Sequence, residues 1–396
     1  MFRQMFLVLP CLLLVFGAPA APPAKLLLNL PVGMSEFKHG KINVAASIAR
    51  LSQRYGDSTE LFRRPLTEYE GGNFYYEAMI GVFNARTFKL FLDTSYSYFW
   101  VFDANCRNSG RACSAQNQYD WVNAGFSKKY NDTTFTINYN GYSMSGAFSQ
   151  ISSSLSCTDQ WQPFVGALSD PGNDGLNYDG VLGLNYDSIH VPMPQPMKQI
   201  FALDSCPHPM FALWMDRSQD NVYKRGELHI CNTESMRFNG PISYANVNGK
   251  NWRIPIDSIA VGSTHIADSI NATVDTGSYF MSGPTDQVAM LQNLIGSIAI
   301  GGGEYQIDCN KISQLPDIAV RISGTDFVLK GADYIVQTNQ NGQKICVSGI
   351  LGVDMSASYG PWVLGNLFVS RFYTVFDFTL GNTRVGFANA TYTPYN

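Results

Sequence analysis

Two short acid-bearing turns carry the chemical interest of this chain. Asp93-Thr94-Ser95 and Asp275-Thr276-Gly277 each close a stretch of alternating apolar residues. In residues 87–93, Phe88, Leu90 and Leu92 alternate with Lys89, Phe91 and Asp93. Ile270, Ala272 and Val274 repeat the rhythm up to Asp275. A period of two predicts strands, here strands that end on an acid. Val181-Leu182-Gly183 and Val363-Leu364-Gly365 follow, each 88 residues beyond its acid (93 to 181, 275 to 363). Two motifs recurring in order at one spacing predict a duplicated unit. A single Asp in such a turn is ordinarily a turn or capping residue. The doubled set points to chemistry instead.

If two such turns meet across a pseudo-twofold axis, their carboxylates come close. Like charges at contact do not both ionise cheaply, so the pair holds one proton and titrates as a unit. One carboxylate then acts as general base on a water, while the other, protonated, polarises a scissile carbonyl. That chemistry is direct hydrolysis, with no covalent intermediate, no metal and no cofactor. Competing chemistries find little support. There is no Gly-x-Ser-x-Gly elbow. His39, His190, His208, His229 and His265 lack metal-ligand spacing and read as surface or core residues. Gly301-Gly302-Gly303 lacks the Lys-Ser/Thr of a phosphate loop and reads as a turn.

The elements that must position these acids are short strands. The chain has 396 residues, 45% hydrophobic, 13% aromatic and 15% charged, enough to bury more than one core. Residues 372–378 and 384–388 read as a C-terminal hairpin, with Gly381 and Asn382 supplying positive φ to its turn. Arg3, the apolar residues 6–16 and Ala18-Pro19-Ala20 predict a signal peptide over residues 1–20, too short for a membrane span. Export of a soluble protein is expected. Residues 21–64 hold seven Lys/Arg and three Asp/Glu, whereas residues 65–396 hold nineteen against twenty-eight, a balance of −9. The acidic body argues against nucleic acid and anionic membranes as partners. The basic segment reads as a pro-segment lying on its own enzyme, or as a plain basic linker. Within it residues 21–40 look extended and residues 41–55 have helical spacing. Arg63-Arg64 is a weak cleavage signal, and the mature N-terminus is expected between about 55 and 70.

Over roughly residues 65 to 390 the chain resembles the pepsin-like aspartic proteases. The matching segments begin with Phe91-Leu92-Asp93-Thr94, then Trp100 and Tyr139 with Ser143-Met144-Ser145-Gly146. Tyr178-Asp179-Gly180 leads into the first Val-Leu-Gly. Val274 to Ser278, Ser282-Gly283-Pro284-Thr285, Leu315-Pro316-Asp317-Ile318 and residues 362–387 complete the set. The resemblance implies an all-β, bilobal fold with a central cleft, a hairpin flap and few short helices. The lobes are expected at 65–245 and 246–396, after a pro-segment at 21–64. It implies Asp93 and Asp275 as the catalytic pair, Thr94 and Thr276 as interlocking residues, and Ser95 and Trp100 as supports. Tyr139 would close over substrate, Gly277 and Ser278 would bond its backbone, and Val181 with Phe91 would line a pocket or sit in the core. The implied disulfides are Cys106–Cys113 and Cys309–Cys346; Cys206–Cys231 is a weaker pairing that leaves Cys157 free. Asn131 and Asn389 head sequons expected to be glycosylated, while the sequon at Asn271 leads into a catalytic strand and is expected to stay bare. The implied protein is a secreted, acid-active, monomeric endopeptidase acting on extended polypeptides. A lysosome-like compartment is the alternative destination.

The departures from the pattern cluster near the acids. Ser95 stands where the pattern has Gly, and Tyr96 where it has a small hydroxyl residue. A Ser95 side chain either crowds the partner acid, displaces the attacking water or adds a hydrogen bond. Asn140 and Tyr142 alter the flap, and Asn366 replaces an acid beside Gly365. They leave open a second reading, a weak or inactive member of the fold that binds peptides or a protein partner.

Overall fold

The computed structural model describes residues 28–34, 74–80, 86–106, 117–120, 127–139, 142–151, 162–167, 178–186, 195–204, 206–216, 225–249, 251–301, 303–340, 343–355 and 360–391. The expected leader, the expected helix at 41–55, the dibasic pair, Asn140, Cys113 and Cys157 lie outside them. The described chain is all-β with few short helices, as the sequence implied.

Three sheets account for the strands among the described residues. The largest runs in the order Phe238–Asn246, Arg384–Ala390, Phe372–Asp377, Met210–Met215, Arg225–Ile230, Leu28–Met34, Phe74–Ile80, Arg86–Asp93, Gly180–Gly183, Phe99–Phe102, Gln162–Ala167, Tyr142–Ile151 and Ser127–Tyr139. It therefore joins both ends of the described chain to its middle. A seven-stranded sheet holds Arg253–Val261, Thr264–Val274 and Trp362–Leu364, and a four-stranded sheet begins with the hairpin Ile298–Gly301 and Glu304–Ile307. Gly301 and Gly303, at φ of 98° and 81°, flank the turn of that hairpin, the role expected of the glycine run.

Alternation holds at the start of the first acid-bearing strand and gives way to burial on both faces near the acids, where Phe91, Asp93, Ala272, Thr273 and Val274 are all buried. Phe88, Leu90 and Leu92 are buried, with Thr87 on the exposed side. In Arg253–Val261, Ile254 and Ile256 are buried while Pro255 and Asp257 are exposed. Each fully buried Leu, Ile or Phe contributes about 1.5–3 kcal/mol, which outweighs the small intrinsic strand propensities. One core cluster runs from Phe88 and Leu90 through Trp252 and Phe280 to Phe387. Cys206–Cys231 and Cys309–Cys346 are disulfides. Cys106 is also disulfide-bonded, to a cysteine outside the described residues.

The 88-residue repeat is physical. Arg86–Asp93 runs parallel to Gly180–Gly183 with Asp93 opposite Gly183. Thr264–Val274 runs parallel to Trp362–Leu364 with Val274 opposite Leu364. The repeated glycines sit under the acid turns. A Cβ on Gly183 would meet Tyr98 O at 2.5 Å and Tyr96 O at 2.6 Å; one on Gly365 would meet Phe280 O at 2.2 Å and Ser278 O at 2.8 Å. Only glycine lets the backbones approach this closely.

The C-terminal hairpin forms as expected, Phe372–Asp377 pairing with Arg384–Ala390. Its turn differs in one detail. Gly381 has φ of 77°, but Asn382 is not among the positive-φ residues. The Asn382 amide instead donates to Thr379 O at 2.9 Å, so one glycine suffices.

Candidate active site

The two turns interlock beneath the acids. The Thr94 amide donates to Thr276 Oγ1 at 3.0 Å, and the Thr276 amide donates to Thr94 Oγ1 at 3.0 Å. Each hydroxyl then donates onward: Thr94 Oγ1 to Val274 O at 3.0 Å, Thr276 Oγ1 to Leu92 O at 2.8 Å. All four bonds cross from one repeat to the other, and both threonines are fully buried. Asp93 and Asp275 lie next to this lock, both fully buried. Unmade, such buried bonds would cost about 1–3 kcal/mol apiece, so the lock holds the turns together.

The carboxylates are held from outside the lock. The Ser95 amide and Ser95 Oγ both donate to Asp93 Oδ1, at 2.9 and 2.6 Å. The Gly277 amide donates to Asp275 Oδ1 at 2.7 Å. The Tyr139 hydroxyl donates to the other oxygen of Asp93, Oδ2, at 3.0 Å. Tyr139 ends the strand Ser127–Tyr139, whose hairpin partner begins at Tyr142. The sequence placed a flap tyrosine here, and the structure puts it directly on the first acid and buries it.

Aromatic rings surround that contact. Tyr96 meets Tyr139 edge-on at 4.7 Å between centroids, and Trp100 meets it at 5.8 Å. Tyr98 packs on Tyr96 at 5.1 Å, and burial pushes the Tyr98 phenol above its ordinary range. Trp100 Nε1 is buried and has no hydrogen-bond partner among the described residues. Val181 is fully buried in the sheet, opposite Phe91 on one side and Trp100 on the other. Phe91 stacks on Tyr178 at 5.1 Å. Both occupy core positions. Ser278 Oγ donates to Phe280 O at 3.2 Å, so its hydroxyl serves its own loop.

Several supports escaped the sequence reading. Asn185 Nδ2 donates to Asn251 Oδ1 at 2.5 Å and to Ser95 O at 3.4 Å, tying the first turn to the residue before Trp252. Trp252 Nε1 donates to Leu184 O at 3.1 Å. Tyr186 closes over Trp252 at 5.0 Å, and its hydroxyl donates to Gly249 O. The usable signal was position: Leu184 and Asn185 directly follow the repeated Gly183. Asn366, noted for its lost charge, has a positive role. Its Nδ2 donates to Thr276 O at 2.9 Å, while its Oδ1 is buried without a hydrogen-bond partner among the described residues.

Elsewhere the polar groups are structural. His229, fully buried, sits between Tyr373 Oη at 2.7 Å and Glu227 Oε2 at 2.8 Å. Among the described residues no cluster of His, Cys, Asp or Glu could hold a metal ion. No helix among them is long and apolar enough to cross a membrane.

The two buried acids lie on interlocked, duplicated turns, and the eukaryotic aspartyl protease family model matches residues 73–390. The chain belongs to this family and is an aspartic endopeptidase. It is 34% identical over 368 residues to aspartic protease 3 of Caenorhabditis elegans, covering 90% of this chain and 91% of that one. It is 32% identical over 411 residues to human cathepsin D, covering 97% and 98%. Against cathepsin D of Dictyostelium discoideum the identity is 30%, covering 82% and 85%.

Proposed function

We propose that Asp93 and Asp275 are the catalytic pair and that they activate a water for direct attack on a peptide carbonyl. One carboxylate takes the water's proton as the oxygen adds to the carbonyl carbon. The other, protonated, hydrogen-bonds the carbonyl oxygen as it gains charge. Collapse of the tetrahedral species returns a proton to the leaving nitrogen, so the pair ends as it began. The reciprocal threonine lock supports this reading, because it ties the two acid-bearing turns to each other.

Turnover requires Tyr139 to leave Asp93 Oδ2, the oxygen that Ser95 does not occupy. Its hydroxyl stands where a reacting water would bond. A substrate in strand form, entering beside the Ser127–Tyr139 hairpin, displaces it. The same contact is the one observation that favours a peptide-binding protein of low turnover. Hydrolysis of a denatured protein at mildly acid pH separates the two. Asp93→Asn and Asp275→Asn each abolish it on the catalytic reading, whereas three equal residual rates would support the binding protein.

The same reading makes the chain an exported precursor with an acid optimum, bound for secretion or a lysosome-like compartment and working as a monomer. The lobes are taken at 65–245 and 246–396, with a leader at 1–20 and a pro-segment at 21–64. Leu28–Met34, inside that segment, is a strand paired to Arg225–Ile230 and to Phe74–Ile80. A segment woven into the sheet is suited to an inhibitory role. Full-length chain and chain begun near Pro65 should differ in their need for acid activation. Equal cutting by both at neutral and acid pH would end that idea. Asn389 is exposed and Asn131 falls where the strand register shifts, which suits glycan attachment. Asn271 Oδ1 accepts from Asn248 Nδ2 at 2.6 Å, which favours a bare side chain.

A further inference from the structure

We infer that Ser95 is the positioning residue for Asp93: its hydroxyl holds carboxylate oxygen Oδ1, while the next residue, Tyr96, packs against Tyr139. The inference deepens the catalytic reading of Asp93 and rests on it.

The second turn is a built-in control. There the residue two after the acid is Gly277, which offers only its amide to Asp275 Oδ1. The residue three after the acid is Ser278, whose hydroxyl donates to Phe280 O. In the first turn the hydroxyl sits one position earlier. Ser95 Oγ lies 2.6 Å from Asp93 Oδ1, within the range of a charge-assisted O–H···O⁻ bond. The Ser95 amide at 2.9 Å completes a two-donor clamp on one oxygen. Asn185 Nδ2 on Ser95 O restrains the clamp from behind.

The backbone at residue 96 is fixed, the Tyr96 amide donating to Asp93 O and Tyr96 O accepting from the Asn185 amide. Its side chain lies edge-on to Tyr139. The other oxygen of Asp93, Oδ2, accepts from Tyr139 in the resting protein and is the one a water would take in turnover.

The test compares Ser95→Ala, Ser95→Thr and the double change Ser95→Gly/Tyr96→Ser, which gives the first turn the order of the second. Two readouts are used: the pH dependence of kcat/KM, and the titration of Asp93 followed by carboxyl 13C NMR. A donor to a carboxylate favours its ionised form, so removing one raises the pH at which it ionises. Ser95→Ala should move the acid limb and the titration upward by roughly one pH unit. At a pH below the shifted limb it should lower kcat about tenfold with KM little changed. Ser95→Thr should restore both, whereas the double change should stay shifted like Ser95→Ala, because in that residue order the serine hydroxyl turns to its own loop. An unmoved titration and limb in Ser95→Ala would overturn the inference. So would a Ser95→Thr chain as impaired as Ser95→Ala. Should Ser95→Ala fail to fold, the threonine and double variants decide between these outcomes. A titration shift in a chain that hydrolyses nothing would keep the contact and overturn the catalytic role of the acid.

Discussion

In the first acid turn a hydroxyl at residue 95 reaches the carboxylate; in the second the hydroxyl at residue 278 turns back to its own loop. Below the acids the two turns are nearly mirror copies. The threonine lock is reciprocal to within a few tenths of an ångström. Gly183 and Gly365 admit the same backbone approach from residues three and five beyond each acid. The duplicated scaffold is therefore held by backbone geometry and by threonines that tolerate little change. The carboxylate surroundings use side chains, and there the two halves have diverged.

The strongest way to break this comparison is at the glycines. Gly183→Ala and Gly365→Ala should each destabilise the fold by about 3 kcal/mol, since backbone and not a flexible side chain stands in the way. Thermal or denaturant unfolding measures this, and a large inequality between the two would contradict the mirror scaffold. Next come the threonines. Thr94→Val and Thr276→Val should each cost about 1–3 kcal/mol, because each leaves a buried carbonyl and a buried amide without their partners. A double-mutant cycle should show strong coupling, since the two hydroxyls serve one lock. Additive losses would mean two independent contacts.

Asn366 sharpens the comparison from the side of charge. Its amide donates to Thr276 O without titrating. An acid there would donate only when protonated. In Asn366→Asp the buried carboxyl should ionise at a higher pH when folded than when unfolded. Its stabilising bond is then present at low pH and lost as pH rises through the folded value. Stability at pH 4 minus stability at pH 7 should rise by about 1–3 kcal/mol relative to wild type. An unchanged difference would show that the contact matters little.

The smallest effect lies away from the site. Burial raises the Tyr373 phenol well above its ordinary value, and its hydroxyl accepts from the Glu234 amide at 2.9 Å. A raised folded value means stability that is intact below about pH 10 and is lost as pH climbs further. Tyr373→Phe should lower stability modestly at neutral pH and flatten the alkaline decline, read from melting temperatures at pH 8 and pH 10.5.

What the sequence made legible was the part fixed by local rules. Strand alternation around Phe88, Leu90 and Leu92, and the equal spacing of the two Val-Leu-Gly motifs, follow from periods that any segment displays. The hairpin at residues 372–390 was legible for the same reason. Contacts between distant side chains were not. Nothing near Asn185 in the chain announces Asn251, and nothing near Tyr139 announces that its hydroxyl rests on Asp93. Ser95 lay between: its departure from the pattern was visible, but three outcomes stood open until the direction of its hydroxyl was known. Asn382 shows a related limit. Asn tolerates positive φ, but tolerance is not use, and the turn closed with Gly381 alone.

The most direct test is the non-additivity of the two acids. Hydrolysis of a denatured protein is measured at mildly acid pH for the activated chain, for Asp93→Asn, for Asp275→Asn and for the double variant, with folding checked by melting temperature. Two groups that work on one water act as a unit. Each single change should reduce the rate by roughly a thousandfold or more, with the double variant no slower than the singles. A single variant that keeps a tenth of the rate, or losses that multiply in the double variant, would contradict a shared catalytic water.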